Sequence, residues 1–227
     1  MLEFYRLDLS PDGASAALIS SAWLGPFVEP DTLDESRDVL ALSVAWHPTR
    51  QDLLAATLSD GGVSYCEIAD DFAEIENDMS VSSPALLRHE LEAWTVAFSP
   101  ISAGVFSGGD DCALRYMRPS WGPDGINGIE ASWQDKRLHD AGVTALVPLS
   151  DELIVTGSYD DHVRLIYAPP VGRRQILADR DLEGGVWRLK MVASDELPDA
   201  VHPSKYVKLA SHACRAFALL GRNNDAS

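Results

Sequence analysis

The chain has 227 residues, 46% of them hydrophobic, and 35 acidic against 18 basic side chains give a formal charge of −17. That balance excludes a nucleic-acid groove, which needs clustered Lys and Arg to neutralise phosphates, and it suits a solvated surface or one that meets a basic partner. Cys66, Cys112 and Cys214 have neither metal-ligand nor disulfide-framework spacing, which points to a reducing compartment. No apolar run reaches the roughly 18 residues of a membrane span, and the opening MLEFYRLDLSPDG lacks the basic start of a secretory signal.

In chain order, LEFYRLDL reads as a strand closed by the turn Ser10-Pro11-Asp12-Gly13, and ASAALISSAWLGPFV as an apolar segment broken at Gly25-Pro26. Residues 30–38 form a polar connector. VLALSVAWHP is a strand ended by Pro48, and DLLAATLSDGGVSYCEIA supplies two more around the hairpin signal Ser59-Asp60-Gly61-Gly62. An acidic connector over 70–84 follows. Two strong copies of one pattern come next: LLRHELEAWTVAFSP with GVFSGGDDCALRYM, then LHDAGVTALVPLSDELIVTGSYDDHVRLIY. The Gly-rich stretch 120–137 between them reads as an enlarged loop. After Pro169-Pro170, RRQILADRDLEGGVWRLKMV opens a further copy whose first strand is VWRLKMV. The tail from Ser194 has no second Gly/Asp turn, and its ALLG end reads as a short helix.

Each copy holds a histidine, a short apolar strand, a turn, a second strand, an aspartate turn and a third strand. His89 precedes Asp111 by 22 residues and His139 precedes Asp160 by 21; Asp60, Asp111 and Asp160 stand 51 and 49 residues apart. A period near 50 residues is the mark of a repeat architecture. The expected fold is an all-β, WD40-type β-propeller that is incomplete, with about three blades and the first strand of a fourth. Residues 1–193 would form this partial propeller and 194–227 a non-propeller tail. Three and a fraction blades cannot close a ring. The chain is then a fragment of a seven-bladed ring, or another chain supplies the missing blades.

The recurrence of the His–Asp pair decides its role. Catalytic groups usually occur once, whereas a buried polar pair joined by Ser107 or Thr156 gives each blade one conformation. Arg115 and Arg164 recur at matching positions and read as blade-edge salt bridges. Residues that do not repeat are the candidates for function. Glu92 lies in an entry to the first strand that reads about two residues longer than the HDAG entry of the next copy. His162 follows the Asp160-Asp161 turn where the other copies carry Gly62 and Ala113. Trp187 and Arg188 fall on a strand that would line the central channel, and Trp94 with Trp187 reads either as an aromatic platform or as inter-blade packing. No nucleophile elbow, phosphate loop, dinucleotide fingerprint or metal-binding histidine cluster is present, and no cofactor is expected.

The strings HELEAWTVAF, VFSGGDDCALR, TGSYDDHVRL and LEGGVWRLK resemble the WD-repeat diphthine methyl ester hydrolase (diphthine methyltransferase) family over about Leu42 to Val192, most specifically from His89 to Lys190. The resemblance implies a cytoplasmic enzyme of diphthamide biosynthesis that hydrolyses the methyl ester of diphthine on translation elongation factor 2, its protein partner. Ester chemistry needs an activated water and a stabilised oxyanion, and Glu92, Asp161, His162 and Arg188 are the polar groups placed to supply them. Met117 and Ile166 replace the tryptophan usual at the end of the third strand, and Cys112 stands where a turn glycine is common. A non-catalytic WD-repeat interaction scaffold is the alternative reading.

Overall fold

Short apolar segments cut by Gly and Asp turns favour strands over long helices. The computed structural model is all-β over the residues it describes, which are 2–10, 13–22, 39–67, 87–122, 125–192, 206–211 and 216–220. Strands β1 (Leu2–Ser10) and β2 (Gly13–Ala22) pair antiparallel, Ser10 opposite Gly13, while Pro11 and Asp12 of the expected turn lie outside the described residues. A four-stranded sheet then combines β3 (Ala41–Trp46), β4 (Leu53–Leu58), β5 (Gly62–Glu67) and the short β6 (Leu87–Arg88). The second sheet is β7 (Ala93–Phe98), β8 (Val105–Gly109), β9 (Leu114–Gly122) and β10 (Gly125–Asp135). The third is β11 (Val143–Pro148), β12 (Leu153–Ser158), β13 (His162–Tyr167) and β14 (Gln175–Asp181). The last holds β15 (Val186–Val192), β16 (Tyr206–Ser211) and β17 (Ala216–Leu220). All are antiparallel meanders and none closes on itself. Their first strands neighbour one another in succession, β3 on β7, β7 on β11 and β11 on β15, which is the radial order of an incomplete propeller.

The core lies between sheets rather than inside any one of them. Leu53, Val63 and Tyr65 of the first sheet meet Val96, Phe98 and Met117 of the second. Phe106, Leu114 and Tyr116 meet Val143, Ile154 and Ile166 across the next interface, and Val155 and Val163 gather around Val186 in the third. Each such aliphatic or aromatic side chain contributes about 1.5–3 kcal/mol by leaving water. Met117 and Ile166, in place of the usual tryptophan, are among these fully buried groups. The interfaces repeat one close approach. A Cβ on Gly108 would lie 2.6 Å from Val143 Cγ1, and one on Gly157 would lie 2.4 Å from Val186 Cγ1. At these two interfaces the first strand of the following sheet can sit there only because the second strand of the sheet before it carries no side chain at that position.

Three stretches differ from the expectation. The described residues of 120–137 are not an enlarged loop: they include the end of β9 and all of β10, whose register shifts at Ile126/Gly128 and Ile129/Ala131 leave Asn127 and Glu130 outside the ladder as bulges while Gly125 and Gly128 pair. RRQILAD does not open a further copy; Gln175–Asp181 is the outer strand of the third sheet. The tail, where a short helix was expected, contributes β16 and β17, so the last sheet carries two strands beyond its first. In the second stretch the reason is exposure: β14, an outermost strand, is exposed along its whole length and carries no apolar alternation to read. In the first, β10 does alternate at Ile129, Ala131 and Trp133, behind a glycine-containing start that reads as loop. The connectors at 30–38 and 70–84 lie outside the described residues.

Candidate functional site: an aromatic row at the start of the inner strands

Every inner strand is bulged at its second residue. The register shifts between Ala41 and Ser43, Ala93 and Thr95, Val143 and Ala145, and Val186 and Arg188, so Leu42, Trp94, Thr144 and Trp187 are the unpaired residues. A bulge leaves one residue outside the ladder and re-aims its side chain. At Thr144 the hydroxyl donates to Val186 O and, at 3.3 Å, to Gly157 O, tying β11 to the neighbouring β15. At the positions on either side the bulge presents indoles. Tyr159, from the turn after β12, stands between them: its ring is 6.5 Å from Trp94 at 87° and 4.7 Å from Trp187 at 89°. The Tyr159 ring packs so closely that a Cβ on Gly185 would lie 3.2 Å from its Cδ1. Both edge-on contacts are within the favoured range for aromatic pairs. Trp187 remains 40% exposed, so the row offers apolar surface to solvent.

The turns that frame this row share one hydrogen-bond pattern. Asp60, Asp111 and Asp160 each accept, through Oδ1, the N–H two residues on, from Gly62, Ala113 and His162 at 2.9, 3.2 and 3.1 Å. The residue in between takes a left-handed backbone in all three turns: Gly61 at φ 89°, Cys112 at 60° and Asp161 at 69°. Cys112 therefore does occupy a turn-glycine position, and Asp161 shapes the same turn through its backbone, with its carbonyl also accepting from Leu182 N at 2.8 Å.

The expected structural pair is complete in one copy and divided in the other. His89 Nδ1 meets Asp111 Oδ1 at 2.8 Å and its Nε2 meets Ser107 Oγ at 2.9 Å, all three residues being buried. Burial alone would raise the Asp111 carboxyl; the His89 bond and the N–H groups of Glu90 and Ala113 outweigh it and hold the group well below the usual carboxylate range. In the next copy His139 Nε2 meets Thr156 Oγ1 at 2.8 Å, but its Nδ1 has no hydrogen-bond partner among the described residues. Asp160 is instead drawn to Arg164, Nη1 to Oδ2 at 2.6 Å, and to Asp140 N at 2.9 Å. Burial, aided by the Arg164 charge, pushes His139 down to about 4. The blade-edge salt bridges are as expected, Arg115–Asp111 at 3.3 Å and Arg164–Asp160 at 2.6 Å.

The four candidate catalytic residues are spread across this region. Glu92 immediately precedes β7, and its carbonyl accepts from Asp110 N at 2.9 Å. The entry it lies in is not lengthened: β7 and β11 each begin four residues after their histidine, at Ala93 and Val143. His162 opens β13 with Nδ1 2.6 Å from Asp179 Oδ1, and Asp179 also takes Arg164 Nε at 3.2 Å. Arg188 lies exposed on β15 next to Trp187. Among the described residues no hydrogen bond or ion pair joins any two of Glu92, Asp161, His162 and Arg188. No group of three or more His, Cys, Asp or Glu there could hold a metal ion, and no helix is long and apolar enough to cross a membrane. Tyr159, absent from the sequence candidates, carries a visible signal: it is the aromatic residue at the turn position held by Ser59 and Asp110 in the other copies.

No family model matches the chain. It is 35% identical over 168 residues to diphthine methyltransferase of Mus musculus, across 70% of this chain and 32% of that protein. It is 32% identical over 133 residues to diphthine methyltransferase of Saccharomyces cerevisiae, across 50% and 33%, and 37% identical over 105 residues to diphthine methyltransferase of Homo sapiens, across 45% and 21%. The chain thus spans at most about a third of the length of these curated relatives. Among solved structures it is similar to a chain in a crystal structure of the mitotic checkpoint complex, at TM-score 0.48 and 19% identity over 74% of this chain and 43% of that one. One expectation is corrected here. All three relatives are named for methyl transfer, not for removal of a methyl ester, and this overturns the reading of the chain as a carboxylic ester hydrolase. With relatives from mouse, yeast and human in agreement at 32–37% identity, the chain belongs to the diphthine methyltransferase family.

Proposed function

We propose that this chain is a protein-recognition segment for diphthine modification, which holds translation elongation factor 2 on the aromatic row at the start of the inner strands, in the cytoplasm. The observation that carries the reading is the repeated bulge, which aims Trp94 and Trp187 at Tyr159 and keeps Trp187 partly exposed. Buried aromatic anchors with a polar surround are what protein interfaces use for affinity. Glu92, Asp110 and Asp161 lie at the same strand and turn ends, in a chain of charge −17, and favour a basic partner surface. In this reading Glu92 and Arg188 contact the partner from beside the two tryptophans. Asp161 and His162 hold the turn that presents Tyr159, the latter through Asp179.

The test measures binding of the purified chain to elongation factor 2 carrying diphthine, and to the same factor with an unmodified histidine. Trp187→Ala and Tyr159→Ala should each weaken binding by about 10-fold or more, the scale of an interface anchor, whereas Arg180→Gln on the exposed β14 should leave it unchanged. Equal affinity of all three variants and the parent would refute the reading, and Trp187→Ala, at a half-exposed site, guards against loss of fold as the cause.

A further inference from the structure

We propose that the outer edge of the interface between the second and third sheets is a binding site for a phosphate dianion. A cavity of about 460 Å³ lies there, lined by Asp135, Arg137 and Leu138 from the end of β10 and by Arg173, Arg174, Gln175 and Ile176 at the start of β14. The volume is in the range of small-ligand pockets. Three guanidiniums face a single carboxylate, in a chain whose overall charge is −17. Such a local reversal of sign costs self-repulsion, and a bound anion relieves it.

The site is built rather than accidental. Asp135 is buried and takes Arg137 through Nε at 3.2 Å and Nη2 at 3.1 Å. Burial would raise its carboxyl, but the Arg137 bonds outweigh this and hold it below its ordinary value, so it stays ionised and anchors the cluster. Arg174 is oriented from three sides. Its guanidinium lies 5.0 Å over the Trp133 ring, its Nη1 donates to Gly172 O at 2.8 Å, and its Nε is 3.5 Å from Asp135 Oδ2. Trp133 is itself fixed, by donation from Nε1 to Pro169 O at 3.1 Å and by stacking on Tyr116 at 5.7 Å. Arg173 is exposed beside Arg174 and makes no ion pair among the described residues. A guanidinium held in place and one without a counter-charge together match the forked acceptors of a phosphate, and the two positive charges left over by Asp135 favour a dianion over a carboxylate. The lining residues come from two sheets, so the site exists only when those sheets are packed. It lies apart from the aromatic row and stands or falls independently of it.

The ligand is either free phosphate or a phosphorylated side chain of another protein, and two arms separate these. Calorimetric titration of the full chain at constant ionic strength would use inorganic phosphate in one arm and a short phosphoserine peptide in the other, with the serine peptide as blank. Saturable binding is expected, weakened about 10-fold or more in Arg173→Gln and in Arg174→Gln, the worth of one charge-assisted hydrogen bond, and unchanged in Arg180→Gln. Phosphoserine binding should also strengthen as pH rises through about 6, where the dianion forms. Tighter binding of the phosphopeptide assigns a modified protein as the source, and equal binding assigns free phosphate. Arg173→Gln removes an exposed side chain and so tests the site even where Arg174→Gln unfolds the interface. Absence of saturable binding in both arms, or binding indifferent to Arg173→Gln, overturns the proposal.

Discussion

His139 gives the sharpest prediction, because the structure withholds the partner that its counterpart His89 enjoys. Its imidazole is 3% exposed, bonded to Thr156 through Nε2 and unpartnered at Nδ1, with Arg164 disfavouring a second positive charge nearby. Its folded-state value is about 4 against 6.5 for the free side chain. The unfolded chain therefore binds the proton first, so the stability that neutral His139 contributes is fully present above pH 6.5 and is lost as pH falls toward 4. Between pH 7 and pH 5 this single group should cost about 2 kcal/mol, at roughly 1.4 kcal/mol per unit of difference. Asp111 and Asp160, both lowered, keep their contribution down to the carboxylate range and do not contribute within this window. The assay is urea unfolding of the parent and of His139→Gln at both pH values. The glutamine retains a donor for Thr156 Oγ1 and cannot titrate. The parent should lose about 2 kcal/mol more than the variant on going to pH 5. Parallel losses in the two proteins would refute the assignment of a neutral, partnerless imidazole.

Two further outcomes follow from the packing and the turns. Gly157→Ala places a Cβ 2.4 Å from Val186 Cγ1 and should destabilise by about 1–3 kcal/mol; the double change with Val186→Ala should recover part of that loss in the same unfolding assay, and failure to do so would show that the close approach is not the cause. Cys112→Gly, at φ 60°, removes the left-handed penalty of a β-carbon and should raise stability by about 0.5–1 kcal/mol, read as a shift of the urea midpoint.

Much of this fold is legible in the residues alone. The 49- and 51-residue spacing of Asp60, Asp111 and Asp160 announces the repeat, and each of these aspartates closes the same turn in the structure. These are local signals: an aspartate bonding an N–H two residues on, and a residue after it able to adopt positive φ, depend on a few neighbouring residues. The triad of His89, Asp111 and Ser107 was also readable, because its members recur in register and buried polar groups must find partners. The same logic ran short at His139, where Arg164 draws Asp160 away, a competition between two partners that spacing cannot rank.

The residues by themselves thus determined the all-β class, the repeat, its inner three strands per copy and the aspartate turns, since all of these follow from short-range periodicity and turn chemistry. Tertiary structure decided the rest. It revealed β10 and β14 as outer strands, the first behind a glycine-containing start that reads as loop and the second exposed along its whole length with no apolar alternation to read. It placed Tyr159 between Trp94 and Trp187, which are 65 and 28 residues away in sequence, through bulges that shift the register by one residue and leave no mark in composition. It also brought Arg137 and Arg174 to one carboxylate, a meeting that depends on two sheets packing face to face and cannot be inferred from either segment in isolation.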